Sequence, residues 1–383
     1  MRLQSIDALR GVAILGILFM NIYFHGSIIT GYGELTPKPF TDTIIEALNS
    51  VFIDGRFRTL FCLLFGAGLA IQHHAYKKKK YSPKAFLTIR MNWLMLFGLV
   101  HGIFIFGGDI LLLYSVCALS ILNSLNLPLK KLRRKAYLFL SIGAALALAT
   151  TLVLVFFLDE QTMLRASTEY NELYQLWFSG YFNQLWIQGG IAISIVLTSP
   201  LFIYWQVTGL MMLGAFLYRI GFFKRGFTQS QLFIISLAAL SLICIDFIIL
   251  LNSPALTDET SSILASTSAI FVALIYAHIV IKLSHHKNKI IAVLSNVGKV
   301  AFSLYILQSI AMAMLLRFWH QGFHLSAQRV DYVLIACGFT LIQILIAHYY
   351  LQYFKQGPLE YLWRKACQHS LYKRMYKNKN AHH

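Results

Sequence analysis

A histidine, a glycine pair and an aspartate stand close together in His101-Gly-Ile-Phe-Ile-Phe-Gly107-Gly108-Asp109. A histidine beside a carboxylate is a plausible general base, because the carboxylate fixes the tautomer and stabilises the imidazolium. Upstream, Asn21 and His25 are four residues apart and share one helix face. Arg56 and Arg58 precede an apolar run, Gln308 and Asp246 interrupt two others, and Asp7, Arg10, Arg90, Lys299 and His348 lie nearer the run ends. A charge centred in lipid costs roughly 2.5–3.5 kcal/mol, so polar groups inside apolar runs are the functional candidates.

Structural roles compete for the same residues. Asp109, after a glycine pair and before an apolar run, is a good helix N-cap, and a cap can coexist with a functional role. His25 can be an interfacial histidine. Asn21 can make a helix–helix hydrogen bond worth ~1 kcal/mol. Gly66 and Gly68 suit close helix packing better than phosphate binding.

The elements that must position these groups are membrane helices. The chain has 383 residues, 57% hydrophobic and 13% charged, with a mean hydropathy of +0.62. A soluble domain carries about 25% charged residues, so an ordinary soluble enzyme is disfavoured. Ten apolar segments are predicted to be spans: 8–26, 58–76, 90–107, 109–126, 136–158, 188–218, 230–251, 262–283, 299–318 and 332–352. The sixth is too long for one straight crossing, and Pro200 is expected to divide or kink it. The third and fourth form a tight hairpin across Gly107-Gly108. The fold class is therefore all-α, polytopic, with outer loops 27–57 and 159–187 and a basic tail 353–383.

Charge sets the expected orientation. With the N-terminus inside and ten crossings, 27 of the 33 Lys and Arg fall on the cytoplasmic side, as the positive-inside rule requires. Twelve of the 15 acids fall on the other. Both termini are thus expected in the cytoplasm. Orientation accounts for the net charge of +18, which leaves no case for a nucleic-acid partner. The five cysteines are dispersed, and no Cys/His metal spacing exists, so no metal is expected. GxxxxGK[ST], HExxH and GxSxG are all absent.

Several motifs together resemble a known family. They are Asp7-Ala-Leu-Arg10-Gly11 running on to Gly16 and Asn21, Arg56-Phe-Arg58 through Phe65-Gly66-Ala-Gly68, and His101 with Gly108-Asp109-Ile-Leu-Leu-Leu-Tyr114. They continue with Gly209-Leu-Met-Met-Leu-Gly214, Asn296-Val-Gly298-Lys299 through Tyr305 and Gln308-Ser309, and Gly357-Pro358-Leu-Glu360-Tyr-Leu-Trp363-Arg364. In this order they resemble the YeiB-like bacterial membrane proteins, which look related to transmembrane acyltransferases such as heparan-α-glucosaminide N-acetyltransferase. Departures stand at Phe106-Gly107, where a Trp-containing pair is common, at Ser303-Leu304-Tyr305, and at Ala347 and Tyr350.

The resemblance implies one acyltransferase-like domain over 1–383, in the bacterial cytoplasmic (inner) membrane. It implies acetyl-CoA or another acyl-CoA as donor and an envelope sugar or glycan as acceptor on the outer side. His101 would be the catalytic base with Asp109 as its partner. Arg10, Arg90 and Lys299 would pair with the donor phosphates. Asn21, His25, Arg56 and Gln308 would hold the acceptor. The alternative is a transporter or translocator that uses the buried His and Asp as its site. A homodimer is compatible with the sequence, which marks no seam for one.

Overall fold

The computed structural model describes residues 3–79, 82–157, 163–201, 203–252, 257–286 and 288–380. Among these the chain is all-helical, with one isolated bridge between Glu34 and Leu164. In chain order the helices are α1 (Gln4–Gly26), α2 (Phe40–Phe52), α3 (Arg56–Lys78), α4 (Pro83–Phe104), α5 (Ile110–Ile121), α6 (Leu129–Phe157), α7 (Thr168–Phe178), α8 (Tyr181–Thr198) and α9 (Ile203–Arg219). They continue with α10 (Phe222–Arg225), α11 (Gln229–Asn252), α12 (Thr257–Leu283), α13 (Lys289–Lys299), α14 (Ala301–Ala313), α15 (Phe323–Ser326), α16 (Arg329–Tyr353) and α17 (Pro358–Asn380).

Seven helices among the described residues are long and apolar enough to cross a membrane: α1, α4, α8, α11, α12, α14 with its extension to Trp319, and α16. The chain is a multi-pass membrane protein. The long sixth segment is broken at Pro200, where α8 gives way to a short 3₁₀ turn before α9. The third predicted span stops at Phe104, and residues 105–109 form the turn into α5. The stretches expected as outer loops carry helices of their own, α2, α7 and the start of α8, while 159–162 lie outside the described residues. The basic tail likewise forms α17 up to Asn380.

Glycines set how closely the core helices approach. A Cβ on Gly298 would lie 1.7 Å from the Asp7 carbonyl, and one on Gly11 2.0 Å from that of Leu294, so α1 and α13 cross in direct backbone contact. Gly66 against Met211 and Gly214 against Leu63 do the same for α3 and α9. Such contact supplies the dispersion packing that drives helix association in lipid. Gly68 differs: its open side faces Arg10 at 3.4 Å.

The segments around Glu34 and Arg165 pack together over the C-terminal end of α1. Glu34 N donates to Met163 O at 2.9 Å, and Arg165 N donates to Glu34 O at 2.9 Å. The Arg165 guanidinium stacks 4.7 Å over Tyr32. At the opposite, Lys/Arg-rich end, Glu360 of α17 accepts from Phe302 N at 2.8 Å and from the Ser303 hydroxyl. It thereby caps α14, whose own N-cap residue, Val300, makes no side-chain cap bond.

Candidate functional site

Asp109 both caps and pairs. Its Oδ2 accepts from Leu112 N at 2.8 Å, closing the first turn of α5, and its Oδ1 lies 2.8 Å from His101 Nδ1. Tyr305 of α14 donates its hydroxyl to the same Oδ1 at 3.3 Å. Because a carboxylate only accepts, the imidazole hydrogen sits on Nδ1 and the lone pair on Nε2. His101 is 2% exposed, and Nε2 has no hydrogen-bond partner. Gly98, one turn before His101, makes the approach possible: a Cβ there would lie 2.4 Å from Leu112 N and 2.8 Å from Asp109 Oδ2.

His25 lies in the same neighbourhood. Its ring packs 4.2 Å from Phe106, whose other neighbour is His101 at 6.4 Å. His25 is fully buried and neither ring nitrogen is bonded. Asn21, one turn earlier, is buried with its Nδ2 unpartnered. The carbonyls that end α1 are satisfied from other elements, His25 O by Arg317 Nε at 2.6 Å and Gly26 O by Trp177 Nε1 at 2.7 Å. Arg317 is carried on a π-helical turn, Met314–Trp319.

The remaining sequence candidates divide. Arg10, Arg90 and Lys299 come together in one cavity of about 320 Å³, with Arg364 of α17 as a fourth cation. Arg90 stacks 3.6 Å from the Trp363 ring centroid, while its carbonyl accepts from Trp363 Nε1 at 3.1 Å. The far wall of the cavity is Ile110, Leu111 and Tyr305, at the Asp109 carboxylate. Arg90 and His101 are eleven residues apart on α4, about 16 Å at 1.5 Å per residue. A second cavity, of about 260 Å³, touches Asp109 from another side, with Arg58, Thr198 and Ser199 in its lining, and Ile110 and Tyr114 line both. A larger one of about 610 Å³ lies among α6, α9, α11 and α12, with Tyr137 the one titratable residue in its lining among the described residues.

Arg56 is not brought to His101. Its guanidinium serves the carbonyls of Val51, Asp54 and Ala265 and the Ser268 hydroxyl, tying α3 to α2 and α12. Gln308 is buried and bonded to Gln343 of α16 at 3.2 Å, with its Nε2 unpartnered. Asp246 bonds Ser50 at 3.3 Å.

Tyr305, Arg317, Gln188 and Trp177 were not singled out as site residues by sequence reasoning. Gln188 is fully buried, and its Oε1 accepts from Gly107 N at 3.2 Å and Arg317 Nη1 at 3.1 Å. Tyr305 lay inside a quoted motif, and a tyrosine three residues before a buried Gln308 was the available signal.

Comparison with known proteins finds relatives along nearly the whole chain. Residues 217–369 match the family described as Protein of unknown function (DUF418). The Escherichia coli K12 protein called Uncharacterized protein YeiB is 27% identical over 390 residues, covering 94% of this chain and 95% of its own. Uncharacterized protein YxaH of Bacillus subtilis 168 is 25% identical over 398 residues, covering 95% and 94%. A Bacillus acidopullulyticus protein, described as an uncharacterized 39.9 kDa protein in an amylase 3′ region, is 29% identical over 142 residues, 36% of this chain and 37% of its own. The similarity to the first two runs through nearly the whole of both chains, so the chain is similar to YeiB-like proteins from end to end.

Proposed function

We propose that the protein is a membrane acyltransferase that moves an acyl group, acetyl in the simplest case, from cytoplasmic acyl-CoA to a sugar or glycan acceptor on the outer side. The observation that carries this is the cavity joining Arg10, Arg90, Lys299 and Arg364 to a wall formed by Ile110 and by Tyr305, whose hydroxyl bonds Asp109, the partner of His101. Four cations suit the phosphates of CoA. The cavity's volume falls within the range of small-molecule pockets.

The cytoplasmic side is then the Lys/Arg-rich end, with both termini there and ten crossings in which α8 and α9 form one broken passage. Bacterial relatives and apolar helices support the inner membrane as its location. In the reaction, His101 Nε2 takes the proton of the acceptor hydroxyl or amine as its oxygen or nitrogen attacks the thioester carbonyl. A C–O or C–N bond forms, the C–S bond breaks, and the thiolate of CoA receives the proton from His101. Asp109 holds Nδ1–H throughout and stabilises the imidazolium.

Calorimetric titration of acetyl-CoA into the protein in nanodiscs tests this. Saturable binding is expected, weakened about tenfold or more by Arg90→Ala through loss of a charged contact and retained in His101→Ala, which loses turnover. Folded wild-type protein that binds neither acetyl-CoA nor CoA would exclude the donor, and flux without CoA consumption would favour a transporter.

A further inference from the structure

Arg317 is 1% exposed. A guanidinium has five N–H donors and no acceptor. Nε donates to His25 O at 2.6 Å and Nη1 to Gln188 Oε1 at 3.1 Å, while Nη2 bonds nothing. No salt bridge reaches Arg317 among the described residues. Four acids of the same end are engaged elsewhere: Glu34 and Glu46 with Lys38 and Arg329, Asp42 with Tyr32 and the Arg329 amide, and Asp331 in the cap of α16.

The surroundings are also short of acceptors. Gln188 turns its Oε1 to Arg317 and Gly107, so its unpartnered Nε2 is a donor. The His25 ring nitrogens, one of them an N–H donor, are unpartnered as well. A buried cation left with spare donors and no carboxylate is costly. A clamp on the end of α1 accounts for Nε, and the bond to Gln188 for one hydrogen of Nη1. Neither uses Nη2. The π-helical turn that carries Arg317 is a form that recurs at functional sites.

We propose that this cluster is an oxyanion site: Arg317, with Gln188 and His25, holds a carboxylate or phosphate group of the acceptor. Calling the ligand the acceptor rests on the acyl-transfer function, but the anion site itself does not. The site adjoins the base. Gln188 bonds the amide of Gly107, two residues before Asp109, and the His25 ring and His101 flank Phe106. An acceptor anchored there by its anion would present a neighbouring hydroxyl or amine toward His101 Nε2. The Trp177 ring lies 5.2 Å from the guanidinium and forms one side of the cluster.

The test uses the full chain in nanodiscs at fixed ionic strength, with inorganic phosphate and glucuronate as probes and glucose as the neutral control. Saturable stabilisation by phosphate or by glucuronate, and none by glucose, is expected, and the anion that binds tells which oxyanion the site takes. Arg317→Gln should weaken binding about tenfold or more, as loss of a charged hydrogen-bond donor does. Should Arg317→Gln not fold, Arg317→Lys and Gln188→Ala decide, each expected to weaken binding several-fold, since a lysine lacks the planar fork. Folded wild-type protein that binds neither anion overturns the proposal. So does anion binding that these variants leave unchanged. Acetyl-CoA is titrated in parallel. Anion binding through Arg317 without CoA binding would leave this site standing and remove acyl transfer.

Discussion

Asp109 carries two jobs on two oxygens, and substitution separates them. Asparagine is as good an N-cap as aspartate, so Asp109→Asn keeps the first turn of α5 but replaces the carboxylate that orients His101 Nδ1–H. Turnover should fall by roughly 10²–10⁴-fold, as in other histidine–carboxylate pairs, with a thermal midpoint close to wild type. Kinetics and unfolding of the one variant check both halves, and wild-type turnover would remove Asp109 from the chemistry. The pair was legible in the sequence because its members are eight residues apart across a glycine turn. Tyr305, which completes the environment of Asp109, is 196 residues away in sequence and only packing brings it in. Arg317 is one of the six basic residues that the positive-inside rule leaves on the outer side, and nothing in its local sequence marks it further.

The segments that cover α1 are held by one small element. In α15, His324 is 1% exposed, its ring fills the space where a Cβ on Gly26 would stand, and its Nδ1 lies 2.7 Å from the Tyr332 hydroxyl. Its carbonyl accepts from the Tyr170 hydroxyl of α7 at 3.4 Å. Burial, with Arg165 and Arg317 nearby, lowers its pKa from the ordinary 6.5 to about 4. The unfolded chain therefore binds the proton first. The neutral ring contributes its full stability above about pH 6.5, and that contribution is lost as pH falls toward 4. At pH 5 the loss is of the order of 2 kcal/mol. Unfolding midpoints of wild type should drop more steeply between pH 7 and pH 5 than those of His324→Gln, and parallel profiles would refute the assignment. These covering helices were invisible in the sequence, because α2, α7 and α15 are short and sit in mixed polar stretches. The long apolar helices and the break at Pro200 were legible, since lipid burial and a missing amide hydrogen each leave a local mark.

At the scale of the whole molecule, the proposed orientation places the Lys/Arg-rich end in the cytoplasm, and labelling tests it. Native cysteines give little background. Cys62, Cys117 and Cys367 are buried, and burial raises the Cys367 thiol pKa to about 11, far from the reactive thiolate. Cys244 and Cys337 lie in apolar helices, where an impermeant maleimide does not reach. New cysteines go at exposed positions of opposite ends: Glu172→Cys and Gln321→Cys in the outer segments, Lys131→Cys and Lys289→Cys at the basic turns. With ten crossings and the N-terminus inside, the first pair should label in cells with a permeabilised outer membrane. The second pair should label only after lysis. Gln321 is the most informative position, because it stands between α14 and α16, beside Arg317, and so reports the side from which an acceptor must come. Labelling of Lys131→Cys from outside would invert the molecule. The four cations of the 320 Å³ cavity would then face away from the cytoplasmic CoA pool, and an acyl donor from that pool would lose its entry.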